Sequence, residues 1–238
     1  MPSSRSATPH SRTPEVDTDG TRSFATPIAV AGPLRTPRQM LAAQEYGGHA
    51  SIHDDQMAED LGFSGAPIEG PTHFSQFVPL LEQLWGDTWH ESGCISAHYQ
   101  NMCVEGDEVR AFVELPASGA TSTRAWAEKA DGTPVLEASV SVGADDSPTL
   151  LETRLAKLRP YERLVILADL EVGMTGPADE VVRMDFDQHM GNLYPFTLTQ
   201  KLDKITEHSS HYAPDAHNAW GGPIIPLEML SVLCEYTI

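Results

Sequence analysis

The spacing of apolar residues changes once in the first half of the chain, and this change limits the fold more than any other feature. The run THFSQFVPLLEQLWG after Gly70-Pro71 has apolar residues at helical spacing, which predicts one buried central helix from Gly70 to Gly86, slightly kinked at Pro79. The runs CISAHYQNMCV, DEVRAFVEL, TSTRAWAEKA and TPVLEASVSVG then alternate with a period of two and predict strands. Asp131-Gly132 predicts a hairpin between the last two. A helix followed by an antiparallel meander predicts an α+β fold in which the sheet wraps around the helix.

Two short helices are predicted before the central helix. Thr36-Pro37 followed by RQMLAAQEY has a capping Thr and a Pro in the first turn. Gly47-Gly48 then breaks the chain, and DDQMAEDLGF predicts a second helix with Asp54 and Asp55 in its first turn.

The organisation along the chain predicts a tail and two units. Residues 1–23 are rich in Ser, Thr, Pro and charge without an apolar period, so we expect a disordered tail. The first unit is predicted over 24–146 and the second over 147–238. In the second unit, LVILADLEV has the apolar character of a buried strand or a buried helix, and its length does not decide between them.

Composition excludes several classes of protein. The 15 Lys and Arg against 34 Asp and Glu leave a formal charge of −19, so we expect no nucleic-acid partner. Three cysteines, an odd number, suit a reducing cytoplasm better than a disulfide scaffold. The chain has neither an apolar stretch of about 18 residues nor a signal region, so we expect no membrane partner and a cytoplasmic location.

The two units share a short sequence pattern. GFSGAPIEGPTHFSQFV in the first unit is similar to AWGGPIIPLEMLSVL in the second, which suggests a duplication. The second copy reaches Ile238 without room for a meander, so we expect either a truncated unit or one completed by other strands.

The first unit contains several short motifs that occur together in one known family: His53-Asp54-Asp55, Ala58, Gly62-Phe63, Pro67-Ile68, Gly70 and Val104-Glu105-Gly106-Asp107. The chain resembles the MaoC-like dehydratases, which are (R)-specific enoyl-CoA hydratases of hotdog fold, over about residues 35 to 143. The second unit has a similar stretch at Trp220-Gly-Gly-Pro223-Ile224.

The resemblance implies a hotdog fold, a homodimer or a double hotdog with an incomplete second copy, and an acyl thioester substrate such as an acyl-CoA. We expect no metal or other cofactor. In that family an Asp and a His five residues apart activate the water that adds to the enoyl double bond. His53 matches the family His, whereas Gly48 stands at the position of the Asp.

Three titratable residues near His53 are candidates to replace the missing Asp: His49, Asp54 and Asp55. They form acid/base machinery with His53 in one interpretation. In a second interpretation His53 and Asp54 cap the helix and anchor the loop. A zinc site is a weaker alternative, because the sequence shows no third and fourth ligand.

Substrate binding is predicted at the start of the central helix. In the family that the chain resembles, the amide at the start of the central helix holds the thioester carbonyl, so the resemblance implies this role for the Gly70 amide. Alternatively, Gly70 only allows the backbone to pack closely against the sheet. Residues beside this position are predicted to line the pocket or, alternatively, to belong to the core: His73, Trp85 and Tyr99. In the second unit, Asp203 and His208 have the family spacing of five.

Charge along the chain constrains the substrate. The 71 residues between Arg38 and Arg110 contain twelve acids and no Lys or Arg. Phosphates of coenzyme A therefore need cations from outside this segment. This favours a neutral or cationic small molecule. The candidate cations are Arg35, Arg38, Arg110, Arg124 and Lys129.

Three functions remain open at this stage. The first is a hydro-lyase that adds or removes water next to an activated carbonyl, with His53 as acid/base, Asp54 or His49 orienting it and the Gly70 amide holding the oxygen. The second is a hotdog cyclase or isomerase of natural-product metabolism, in which the pocket mostly shapes the substrate. The third is a non-catalytic hotdog that binds a ligand or completes a partner subunit.

Overall fold

The structure, a computed structural model, describes residues 28–144, 147–160, 171, 173–176 and 184–235. The predicted tail 1–23 and most of LVILADLEV lie outside the described residues, as do 145 and 146 at the predicted boundary between the units. That boundary stays a prediction.

A five-stranded antiparallel sheet forms the main layer, and a separate two-stranded ribbon precedes most of it in the chain. The strands are β1 Ala29–Ala31, β2 Glu45–Tyr46, β3 His49–Ala50, β4 Gly93–Tyr99, β5 Val109–Glu114, β6 Ser122–Lys129 and β7 Pro134–Val142. The order in the sheet is β1-β5-β6-β7-β4, and β2 and β3 form the ribbon. The predicted meander is confirmed, and the turn after β6 contains Asp131 and Gly132, whose φ of 86° suits glycine.

Short helices make up the other elements, and η denotes a 3₁₀ helix. They are α1 Asp55–Asp60, η1 Gly70–Gln76, α2 Val78–Trp85, α3 Asp87–Ser92, α4 Leu150–Leu155, α5 Leu198–Leu202, η2 Ser210–Tyr212, η3 Leu227–Met229 and α6 Leu230–Glu235. In the part of the chain that the structure describes, none of these is long and apolar enough to cross a bilayer.

The core lies between the sheet and α2. Alternate residues of β5, including Val109 and Val113, are buried and face the helix side chains Phe77 and Leu81, which are buried as well. Period-two strands packed on one helical face are what the sequence pattern predicts. An antiparallel sheet packed around a central helix is the α+β hotdog arrangement, so this prediction is confirmed; the double hotdog stays a prediction.

The central helix begins as a 3₁₀ helix and continues as α2 after Phe77. Pro79 therefore lies in the first turn of α2, where a backbone N–H has no partner within the helix. Pro79 therefore removes no hydrogen bond within α2, and the slight kink stays a prediction.

The predicted helix after Thr36-Pro37 is also wrong, because residues 36–44 form no helix. The hydrogen bonds here go to distant parts of the chain instead of forming helical turns. Just before the segment, the backbone of Arg35 pairs with that of Val109. Within it, the Gln39 side chain donates to the carbonyl of Pro67. Leu41 is buried in a second apolar cluster with residues of the second half. Tertiary contacts override the helix signal here.

The second half repeats the local order of the first. A loop at 220–226 leads into η3 and then α6, as the loop at 62–69 leads into η1 and α2. The two 3₁₀ helices pack against each other. Among the described residues, all strands of the five-stranded sheet come from the first half.

Candidate functional site

His53 lies in the turn between β3 and α1 and is half-buried. Its Nδ1 is 2.6 Å from the carbonyl oxygen of Pro67. A carbonyl only accepts, so Nδ1 carries the proton of the neutral ring and the lone pair is on Nε2. Burial lowers the pKa of His53, and the bond to Pro67 offsets part of that effect. The ring is therefore poised as a neutral base at neutral pH.

The carbonyl that orients His53 is itself held in place. Pro67 pairs with Val104 in a β-bridge, and the Gln39 Nε2 donates to the same oxygen at 2.6 Å. The bridge and the Gln39 bond fix the position of this carbonyl. The hydrogen bond from Nδ1 to the carbonyl then limits rotation of the His53 ring.

Gly48, at the position where the resemblance predicts an Asp, is a turn residue. Gly47 and Gly48 are the two turn residues between β2 and β3, and their φ angles are 58° and 87°. A two-residue hairpin with both φ angles positive favours glycine. A side chain at position 48 would strain this exposed turn.

The other predicted acid/base residues bond to backbone. Asp54 caps α1 and accepts from the Met57 N–H, while Asp55 accepts from the Ala66 N–H. His49 lies on exposed β3, with its Nδ1 3.1 Å from the carbonyl of Ala50. Asp54 and Asp55 thus anchor the loop that carries His53.

Gly70 is the first residue of η1, so its N–H has no partner within that helix. The ring of Tyr99 packs on its Cα: a Cβ at position 70 would lie 2.6 Å from the Tyr99 Cζ. Phe74 lies on the same side, with its ring centroid 6.3 Å from that of Tyr99. Trp85 packs against the core instead. Tyr99 alone of the predicted pocket aromatics therefore contacts Gly70.

His73 belongs to a buried polar cluster that sequence reasoning missed. Lys201 and Glu228, of α5 and η3, bury all but 3% and 0% of their side chains, and Lys201 Nζ is 3.7 Å from Glu228 Oε1. Lys201 also donates to the Thr72 hydroxyl at 3.3 Å. His73 is 2% exposed, and its Nδ1 has no hydrogen-bond partner. The cluster joins η1 to the second half.

Burial dominates the titration of this cluster. It lowers the pKa of His73 to about 4, with the Lys201 charge acting in the same direction. It raises the pKa of Glu228 to about 7, which Lys201 and the Ser75 hydroxyl oppose. The only signal in the sequence was a single charged residue inside an apolar run, as in PLEML.

The pair predicted in the second half lies at the surface. Asp203 is the C-cap residue of α5, and both it and His208 are exposed.

A second group of titratable residues lies at the other end of α2. His90 Nε2 is 2.7 Å from Glu82 Oε1, and His211 joins them from η2. His90 also lines a cavity of about 490 Å³. The expectation of no metal site depends on the lack of further ligands near His53. It does not cover the group of Glu82, His90 and His211.

Three of the five predicted cations form ion pairs with acids. Arg35 binds Glu207 through two hydrogen bonds of 2.6 and 3.0 Å. Arg38 lies 2.9 Å from Glu105, and Lys129 lies 2.7 Å from Asp107. Arg124 stacks over Trp126, with 4.9 Å from its Cζ to the ring centroid.

Comparison with known proteins gives similar structures but no similar sequences. No family model matches the chain, and no curated protein matches it. The structure is similar to the (R)-hydratase from A. caviae involved in PHA biosynthesis, with 21% identity, a TM-score of 0.37 and coverage of 51% of this chain and 98% of that chain. It is similar to an R-hydratase from Pseudomonas aeruginosa, with 11% identity, a TM-score of 0.31 and coverage of 52% and 90%.

A third similar structure is the HadBC 3R-hydroxyacyl-ACP dehydratase complex from Mycobacterium tuberculosis. It has 16% identity and a TM-score of 0.27, and the match covers 37% of this chain and 71% of that chain.

Proposed function

We propose that the chain is a hydro-lyase that adds water to, or removes it from, an enoyl thioester or a related small molecule. The observation that carries the proposal is the 2.6 Å bond from His53 Nδ1 to the Pro67 carbonyl, which leaves Nε2 as the base. His53 takes a proton from water, the oxygen bonds to the β-carbon, and the proton goes to the α-carbon. The Gly70 amide holds the carbonyl oxygen as negative charge develops on it.

In this proposal the backbone carbonyl of Pro67 takes the orienting role predicted for Asp54 or His49. His53 serves as both base and acid in turn, since Gly48 has no side chain to share the work. A lower rate than that of a two-residue machinery is expected, because positioned acid/base groups contribute about 10²–10⁴-fold each.

The charges favour a thioester without phosphates. Arg35, Arg38 and Lys129 are engaged by acids, and the segment from 39 to 109 has no Lys or Arg. A crotonyl ester of a short neutral thiol should therefore be turned over with a kcat/KM at least equal to that of crotonyl-CoA.

Mutation of His53 tests the proposal. His53→Gln should lower kcat by at least about 100-fold, whereas His98→Gln on β4 should leave it unchanged. Loss of the enoyl absorbance measures turnover. Retained activity in His53→Gln contradicts the proposal. It is also contradicted if the wild-type chain turns over neither thioester. If a small molecule nevertheless raises the Tm of that inactive chain, the result favours the non-catalytic alternative.

The pH profile gives a second test. Because burial lowers the pKa of His53 below its ordinary 6.5, the neutral base persists as the pH falls through 6.5. The acid limb of kcat/KM should lie below pH 6.5. An acid limb above that value would show that another group is the base.

A further inference from the structure

Glu82, His90 and His211 come together although they belong to three different elements. Glu82 is in α2, His90 in α3 and His211 in η2 of the second half. One ligand atom from each lies within 4.8 Å of the others, and all three residues are half-buried. Two imidazoles and one carboxylate are the donor set of many zinc sites with an open position.

The group is held close by its surroundings. The His90 and His211 ring centroids are 5.3 Å apart, and the Trp220 ring packs edge-on to both at 5.4 and 5.7 Å. Only 9% of the His90 side chain is exposed. Packing against an aromatic ring limits the rotamers of both histidines, so less entropy is lost when a ligand orders them.

The electrostatic surroundings favour a cation. Glu82 brings a carboxylate to the group, and 33% of its side chain is exposed. Among the described residues, no Lys or Arg forms an ion pair with Glu82. A bound cation would therefore compensate its charge.

We propose that Glu82, His90 and His211 bind a zinc ion. Zinc takes nitrogen and oxygen ligands at about 2.0–2.2 Å, which sets them roughly 3.4 Å apart in a tetrahedron. Binding would widen the 2.7 Å separation of His90 from Glu82 and bring His211, which lies within 4.8 Å, closer by side-chain rotation. Among the described residues no further His, Cys, Asp or Glu joins the group, so the fourth position is left to water or to a molecule in the adjoining cavity.

The site would tie the second half of the chain to the first. His211 follows α5 in the second half, whereas Glu82 and His90 flank Gly86 in the first. An ion that binds the folded chain and not the unfolded chain raises stability by mass action.

Calorimetric titration of Zn²⁺ into the chelator-treated full chain tests the site. We expect one ion per chain and a rise in Tm with Zn²⁺. Zinc affinity should fall by at least about 100-fold in each of the variants Glu82→Gln, His90→Gln and His211→Gln. Loss of a residue that only supports a metal ligand already lowers affinity by about 10–100-fold, so loss of a ligand should cost at least as much. His98→Gln is the matched control and should bind as the wild type does. Co²⁺ should show the visible bands of tetrahedral nitrogen and oxygen ligation, without a thiolate band from Cys94 on the cavity wall.

Two results would overturn the site: no stoichiometric binding by the wild type, or affinity unchanged in His211→Gln and Glu82→Gln. His211→Gln carries the test if His90→Gln does not fold, because His211 lies in a 3₁₀ turn outside the sheet and its central helix. The test is independent of the proposed hydro-lyase, since it measures binding and spectra instead of turnover.

Discussion

Gly70 and Tyr99 are in contact at a position that has no room for a side chain. The Tyr99 ring covers the Cα of Gly70, with 2.6 to 2.9 Å from a built Cβ to three ring atoms. The sequence left two roles open for Gly70: an exposed amide at a helix start, or close packing against the sheet. The structure supports the second role, because an aromatic ring from β4 packs on the residue and leaves no room for a side chain.

Gly70→Ala should therefore lower the free energy of unfolding by about 1–3 kcal/mol, as overpacking does in other cores. In a Tyr99→Ala background the same change should cost much less, because the ring that it meets is gone. Urea denaturation of the four chains of this double-mutant cycle measures the difference. An equal cost in both backgrounds would show that the ring does not cause the strain.

His73 and Glu228 have opposite effects on stability as the pH changes. His73 has a folded pKa of about 4 against 6.5, so its contribution to stability is present above pH 6.5 and is lost as the pH falls through 4. Glu228 has a folded pKa of about 7 against 4.5, so its contribution is present below pH 4.5 and is lost as the pH rises through 7. For each residue, the difference between the folded and the unfolded pKa corresponds to about 3 kcal/mol of unfolding free energy.

Single variants should separate the two effects. Relative to wild type, Glu228→Gln should lose stability as the pH falls from 7 to 4.5, because the favourable protonation of Glu228 is gone. His73→Gln should gain relative stability as the pH falls from 6.5 to 4, because no buried imidazole must charge. Unfolding free energies at several pH values check both slopes, and parallel curves for all three chains would rule out these titrations.

At the scale of elements, α1 is the helix that holds the His53 loop in place. The Asp54 carboxylate caps it by accepting from the Met57 N–H at 2.9 Å. Its single buried residue is Ala58, so the helix has little packing of its own to fix its position. The capping interpretation of Asp54 therefore has a direct structural basis.

Asp54→Ala should lower the free energy of unfolding by about 1 kcal/mol, whereas Asp54→Asn should leave it nearly unchanged, because Asn is an equally good cap. Under the proposed function Asp54→Asn also keeps activity, since Pro67 orients His53. Chemical denaturation and thioester turnover of both variants measure these effects. A large activity loss in Asp54→Asn with normal stability would assign Asp54 to the chemistry instead.

The sequence predicted helices and strands correctly where the apolar periodicity is sustained. It failed where a segment is fixed by contacts with residues far away in the chain. The four strands β4 to β7 and the helix α2 follow from sustained periodicity, which reflects burial on one face. The segment 36–44 has the local signals of a helix, but its polar and apolar side chains bind Pro67 and the second half. Local propensity is worth tenths of a kcal/mol per residue, and such contacts exceed it.

At the scale of the whole molecule, buried charge connects the two halves. Lys201 from α5 reaches Thr72 of η1 and faces Glu228 of η3. Arg35 and Glu207 form a second link near the surface. The predicted homodimer and double hotdog are separate matters and stay predictions.

Lys201→Met should destabilise the chain by about 3–5 kcal/mol at pH 8, because it leaves the Glu228 carboxylate buried without a cation. The double variant Lys201→Met with Glu228→Gln should recover much of this loss, since no uncompensated charge remains. Thermal and urea unfolding measure the cycle. A double variant no more stable than Lys201→Met would mean that packing, not charge, holds the halves together.

The sequence by itself determined the α+β class, the strands β4 to β7 and the capped helix α1, because each depends on spacing or on neighbours within a few residues. The resemblance, and not the spacing, selected His53 and Gly70 as candidate site residues. Only the tertiary structure decided which group orients His53, why position 48 is glycine, and that Glu82, His90 and His211 lie together. His53 and Pro67 are 14 residues apart, and His211 is more than 100 residues from both Glu82 and His90. Local periodicity does not encode such pairs, because they depend on how distant segments pack together.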